Sequence, residues 1–262
     1  MKVIDVINHL KNEGYWVNFD KTRDIVLYGD TDKEITKIGI CWVATKCVIQ
    51  KAREKGINFI ISHENLFYEA TTSPTRQLLE SADEKKKMLD EGDITVYRCH
   101  DVWDMMPKYG VADTWAHDIG FDFEPRVVSS YNSYANLDHM TLHDVAKRIA
   151  NALKPYEEDG VVVYGDLNRI VNRIAIGTGA ATNIFSMLKE NPDVVVASDD
   201  GVTNWIAVQW CIDNDMPLIL VNHASSEIGG LKNMVNYFHD VLPELETEYL
   251  YEGYKVQMIL AD

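Results

Sequence analysis

Four short stretches of this chain end an apolar run on side chains able to hold a metal or move a proton. They are "SHEN" (His63, Glu64), "CHDVWD" (His100, Asp101, Asp104), "SDDG" (Asp199, Asp200) and "NHASSE" (His223, Glu227). Imidazole and carboxylate together are the donor set for zinc, iron, manganese or nickel. In two of the stretches an acid follows the histidine by four positions: His100 with Asp104, and His223 with Glu227. Where a helix begins just past a strand, such a pair lies one turn apart and aims at a common point above the sheet. A bridging carboxylate would then hold two ions about 3.5–4 Å apart, the separation of paired hydrolytic metals.

A simpler reading competes with this one. A single histidine at a strand end is ordinarily a hydrogen-bonded structural residue, and an acid just past a strand ordinarily caps the next helix. Three histidines ending three strands, each with a carboxylate at the first or fourth following position, favour a site. Asp199 and Asp200 are expected as a helix cap and a first-turn acid. "AIGTGAAT" (175–182) reads as a tight turn with an anion-binding option, and it is a weak dinucleotide fingerprint because Thr182 stands where the third glycine belongs. No phosphate loop, nucleophile elbow or Cys–His pair is nominated by spacing. Trp42, Trp103, Trp115 and Trp205 fall near inferred strand ends, where core packing is the expected role for most of them.

The elements that must position these groups alternate. Residues 2–13 read as an amphipathic helix, and "DIVLYGD" and "ITKIGICWVA" as strands. Then come a helix ("TKCVIQKAREKG"), a buried strand ("INFIISH"), a helix opened by Ser73 with Pro74 at its first position, and a strand ("DITVYRCH"). Short continuous apolar strands between helices predict a mostly parallel sheet flanked by helices. "PRVVSSYNSYANLDHM" (125–140) breaks the pattern with Pro, Ser and Asn, which places a junction there and predicts domains at 1–127 and 128–262.

The second half repeats the first. Residues 172–201 lie over 36–65 without a gap as strand, turn, helix, strand and polar tetrapeptide. The overlay continues, with 205–227 matching the helix and strand that end in "DITVYRCHDVWD". The expected architecture is α/β: two similar, pseudo-duplicated domains with polar groups at the carboxyl ends of corresponding strands, where open α/β sheets bind ligands.

Bulk properties exclude several classes. Against 25 Lys+Arg stand 41 Asp+Glu, and a net charge of −16 repels a phosphate backbone, so no nucleic-acid partner is expected. The Lys85-Lys86-Lys87 cluster is expected on one solvated helix face. With 46% hydrophobic residues the chain has ample material for a core. Four cysteines without a CxxC pair, and an N-terminus lacking a secretory signal, fit a reducing cytoplasm. No apolar segment is long enough to span a membrane.

The motifs "LYGD" with "ITKIGICWVAT", "AREKGINFIISHENLFY", "YRCHDVWDMMPKYGVAD" and "NHASSEIGGLKNMV" resemble, in order and spacing, those of the NIF-three-like proteins (Ngg-one-interacting factor three), whose bacterial members are often labelled GTP cyclohydrolase type 2 homologues. The resemblance covers nearly the whole chain. It implies two similar α/β domains with a dinuclear metal site in the interdomain cleft, and a toroidal hexamer built from dimers. By position, His63 and Glu64 stand at the family's His-His pair, His100 and Asp104 at its His-x-x-x-Asp, and His223 and Glu227 at its His-x-x-x-Glu. Glu227 would be the bridging carboxylate. Glu64 departs from the pattern, because a carboxylate in place of imidazole favours harder cations and lowers the Lewis acidity of a bound ion.

The expected ligands are therefore His63, Glu64, Asp104, His223 and Glu227, holding two divalent ions per chain (zinc, iron, manganese or nickel). His100 is the expected general base or proton shuttle. The leading expectation is a metal-dependent hydrolase acting on a small molecule by cyclohydrolase-, amidohydrolase- or phosphoesterase-like chemistry. The rival is a metal-handling or cofactor-assembly protein that delivers its ion to an acceptor without turnover. A regulatory adaptor is a third reading, for which no motif speaks.

Overall fold

The computed structural model describes residues 1–68, 74–180, 182–202 and 205–259. The chain divides into two compact units, Met1–Tyr109 with Leu231–Gly253, and Gly110–Gly230 with Tyr254–Asp262. Each is an α/β unit around a five-stranded sheet.

The first unit opens with α1 (Val3–Glu13), which buries Val3, Val6, Ile7 and Leu10 at helical spacing. After β1 (Val26–Tyr28) the alternation runs β2 (Ile38–Cys41), α2 (Lys46–Glu54), β3 (Phe59–Ser62), α3 (Arg76–Glu91), β4 (Thr95–Arg98) and α4 (Asp101–Met105). Every residue of β2, β3 and β4 is buried, as parallel strands covered on both faces require. These strands pair in parallel, and β1 closes one edge antiparallel to β4. Thr45 starts α2 by accepting the Val48 N–H.

Two expectations about α3 change. Its cap is Thr75, whose hydroxyl accepts the Leu78 N–H, so Pro74 precedes the cap; Ser73 lies outside the described residues. Within α3, Lys85 does not join a solvated face. It is 3% exposed, its ammonium donates to the Leu66 carbonyl at 2.6 Å and sits over the Tyr68 ring, and burial depresses its pKa to about 8.

The second unit comprises α5 (Val111–Ile119), β5 (Ser133–Thr141), α6 (Leu142–Leu153), β6 (Val162–Tyr164), β7 (Ile170–Ile176), α7 (Ile184–Met187), β8 (Val194–Ser198), α8 (Trp205–Asp213) and β9 (Leu218–Val221). Its sheet order is β5-β7-β8-β9-β6, with a parallel centre and antiparallel edges. Successive residues of the central strands feed opposite cores. Ile174, Ile176, Val194 and Val196 pack with Trp115, Leu142 and Ile149, whereas Ala175, Val195 and Ala197 pack with Ile184, Met187 and Cys211. The segment read as a junction contains β5, where Ser133, Ala135 and Leu137 alternate inward.

The sequence repeat is a repeat of structure: β2, α2 and β3 correspond to β7, α7 and β8. β4 and α4 correspond likewise to β9 and α9 (His223–Val241). From Leu231 onward α9 belongs to the first unit, and β10 (Thr247–Tyr249) joins that unit's sheet parallel to β2. Among the described residues, no helix is long and apolar enough to cross a membrane.

Candidate metal centre

In the first unit the chain leaves β3 directly into His63 and Glu64. Their amides are tied to the neighbouring strand's exit, with His63 N–H donating to the Cys41 and Trp42 carbonyls and Glu64 N–H donating to Trp42 at 2.7 Å. Next to them β4 runs through Cys99 into His100, and α4 begins at Asp101. Asp24, 1% exposed, holds that helix start by accepting the His100 N–H at 2.7 Å and the Val102 N–H at 3.2 Å. Burial raises the Asp24 pKa, against the lowering effect of the Thr22 hydroxyl and those amides.

The side chains converge. His63, fully buried, sets Nδ1 3.2 Å from the Cys99 carbonyl, which accepts its proton and leaves Nε2 3.3 Å from Asp104 Oδ1. The His63 and His100 rings stack at 4.5 Å with 8° between their planes. His100 Nδ1 lies 3.0 Å from Asp101 Oδ1 and 3.2 Å from Asp104 Oδ2. One ligand atom each from His63, His100 and Asp104 fall within 4.8 Å of one another. Asp101 also accepts from the Thr22 hydroxyl and the Arg23 N–H. Burial works to raise its pKa, but hydrogen bonds from His100, Arg23 and Thr22 prevail and hold it well below the usual range.

Glu64 is not alone with its charge. Arg98, the last residue of β4, donates from its guanidinium to Glu64 Oε2 at 2.7 Å and from Nε to the His63 carbonyl at 3.0 Å. Glu64 Oε1 faces His100 Nε2 at 3.8 Å.

The second unit presents the corresponding strand ends. β8 exits into Asp199 and Asp200, and β9 exits through Asn222 into His223, the first residue of α9. Asp199 does cap a helix, but the helix is α9, whose first N–H (His223) it accepts at 3.1 Å. Asp200 does not act as a first-turn acid: its Oδ2 lies 2.7 Å from His223 Nδ1. His223 Nε2 is thereby directed to Glu227 Oε2 at 3.0 Å. Burial opposes the charged imidazole, yet Glu227 and Asp200 outweigh it and push the pKa up to about 9.

Gly179, from "AIGTGAAT", lies against this pair. Gly179 has φ +70°, and a side chain there would overlap Glu227 Oε1. Its carbonyl accepts the hydroxyls of Thr182 and Ser198. An acidic neighbour leaves the turn poorly suited to an anion. Of the tryptophans, Trp103 and Trp115 are core residues and Trp205 is exposed.

The donor chemistry fits a divalent cation. Histidines that ligate metals ordinarily donate their other ring N–H to a carbonyl or carboxylate, and His63 (Cys99), His100 (Asp101) and His223 (Asp200) all have such a partner. Asp24 and Arg98 carry no signal in the sequence. Asp101 and Asp200 do: both lie in the strand-end stretches, and the internal repeat lays Asp199-Asp200 over His63-Glu64.

Two α/β units that end their central parallel strands on imidazole and carboxylate define a class of chain built to present metal-capable groups at strand ends. The chain belongs to the Duf34/NIF3 (NGG1p interacting factor 3) family, whose model matches residues 1–253. It is 28% identical over 235 residues to a GTP cyclohydrolase 1 type 2 homolog of Clostridium perfringens, with 87% of each chain covered. To one of Methanocaldococcus jannaschii it is 32% identical over 237 residues, covering 82% of this chain and 88% of that one. Its fold is similar to that of a Staphylococcus aureus hypothetical protein, with a TM-score of 0.79 and 23% identity over 99% of both chains. It is also similar to reduced HcgD from Methanocaldococcus jannaschii, with a TM-score of 0.70 and 22% identity over 95% of this chain and 98% of that one.

Proposed function

We propose that this chain is a metal-dependent hydrolase of a small molecule. The observation that carries the reading is the buried convergence of His63, His100 and Asp104 at 4.8 Å or less. His63 and Asp104 would hold one ion; Glu64, His223 and Glu227 are the further ligands that the resemblance in sequence implies. When bound, such ions lower the pKa of water toward about 7 and polarise a carbonyl or phosphoryl group. The name that its relatives carry, GTP cyclohydrolase 1 type 2 homolog, points toward ring-opening hydrolysis within that class.

The chain's own residues supply orientation and proton movement. Cys99 and Asp200 fix which nitrogen His63 and His223 present. His100 is the proton carrier: Asp101 Oδ1, 3.0 Å from its Nδ1, orients the ring and leaves Nε2 to exchange the proton. The test is turnover by metal-replete protein on nucleotides, cyclic amides and phosphoesters, with Asp104→Ala as control. Metal-dependent turnover lost in the variant supports the reading; rapid transfer of metal to a chelator with no turnover on any substrate favours delivery instead.

A further inference from the structure

Arg98 occupies a position that the proposed chemistry leaves unexplained. It is a charged residue ending a wholly buried strand, its side chain 10% exposed, and in register it stands opposite Ser62 immediately before the His63-Glu64 pair. Its guanidinium grips that pair twice, through the His63 carbonyl and through Glu64 Oε2. The Glu64 backbone is fixed as well, by its N–H to Trp42 and by the Ser62 hydroxyl on its carbonyl at 2.8 Å. Glu64 therefore has one oxygen committed to a fixed positive charge and one, Oε1, turned toward His100.

We infer that Arg98 is a positioning residue that grades the metal centre: it limits Glu64 to one ligating oxygen and makes a cation held there the weaker of two. The inference rests on the metal-binding reading above. A cation drawing on Glu64 meets a carboxylate whose charge Arg98 already balances, and it also meets the guanidinium itself, which a protein cannot deprotonate. At the distance of a shared carboxylate, in a partly buried site, that repulsion acts with an effective dielectric well below that of water. An ion on His63 and Asp104 draws on a carboxylate that lies against the His63 and His100 rings, at 3.3 and 3.2 Å. A hard cation tolerant of oxygen ligands suits the graded position, because monodentate carboxylate with water completes its shell.

The experiment is a Zn²⁺ titration against a competing chelator on wild type, Arg98→Met, Arg98→Lys and Glu64→Gln, with folding checked by circular dichroism. Wild type is expected to show a tight and a weak class. Arg98→Met should tighten the weak class by about tenfold or more and leave the tight class unchanged. Arg98→Lys, which keeps the charge in altered packing, should leave the weak class weak, and Glu64→Gln should abolish it. If both Arg98 variants tighten alike, or Arg98→Met leaves the weak class unchanged or weaker, the inference is overturned, as it is by two equally tight ions in wild type. A wild-type chain that binds no zinc overturns the metal reading itself.

Discussion

Asp200 Oδ2 lies 2.7 Å from His223 Nδ1, so a carboxylate at the end of β8 fixes the orientation of the imidazole at the start of α9. The contact determines which nitrogen the pair with Glu227 receives. Asp200→Ala should fold normally and lower zinc affinity by about 10–100-fold, the usual effect of losing a carboxylate behind a ligating histidine. Equilibrium dialysis measures it, and an unchanged affinity would make the contact merely structural.

The same histidine gives a pH dependence. Its pKa is raised from 6.5 to about 9, so protonated His223 stabilises the folded chain fully below pH 6.5, and the contribution is lost as pH rises through about 9. For chelator-treated protein, the thermal midpoint should fall by a few degrees between pH 6.5 and 9 relative to His223→Gln. A parallel pair of curves would show that the imidazolium contributes nothing.

Gly179 leaves no room for a β-carbon. With φ +70° and Glu227 Oε1 in the way, Gly179→Ala combines backbone strain with displacement of the Glu227 carboxylate. A cost of about 1–2 kcal/mol in stability is expected. Metal content should fall by more than Asp200→Ala produces. Metal analysis beside a denaturation curve separates the two effects.

On the proposed reading His100 transfers a proton and its neighbours hold the ion. His100→Gln should retain metal and lose about 100-fold or more in turnover. Metal lost along with turnover would make His100 a ligand, a role its placement with His63 and Asp104 also allows.

How much of this was legible in the sequence depended on the range of each interaction. The strands "FIIS" and "VVVAS" announce themselves by apolar runs, and His63, His100 and His223 are visible because they end such runs. The three-residue β10 has no such signal; it is a strand because β2 offers it an open edge. Asp24 reaches His100 from 76 positions away, and Arg98 reaches Glu64 across 34, so no local spacing could have linked them. Lys85 misleads for a related reason: a run of three lysines looks solvated until the carbonyl of Leu66 turns one of them inward.

Metal per chain should be measured by plasma mass spectrometry on zinc-replete protein purified without chelator or metal-affinity tag, beside Asp104→Ala and His223→Ala. The prediction is about two ions per chain in wild type and a clear deficit in each variant. No bound metal in wild type, or full occupancy in both variants, would contradict it.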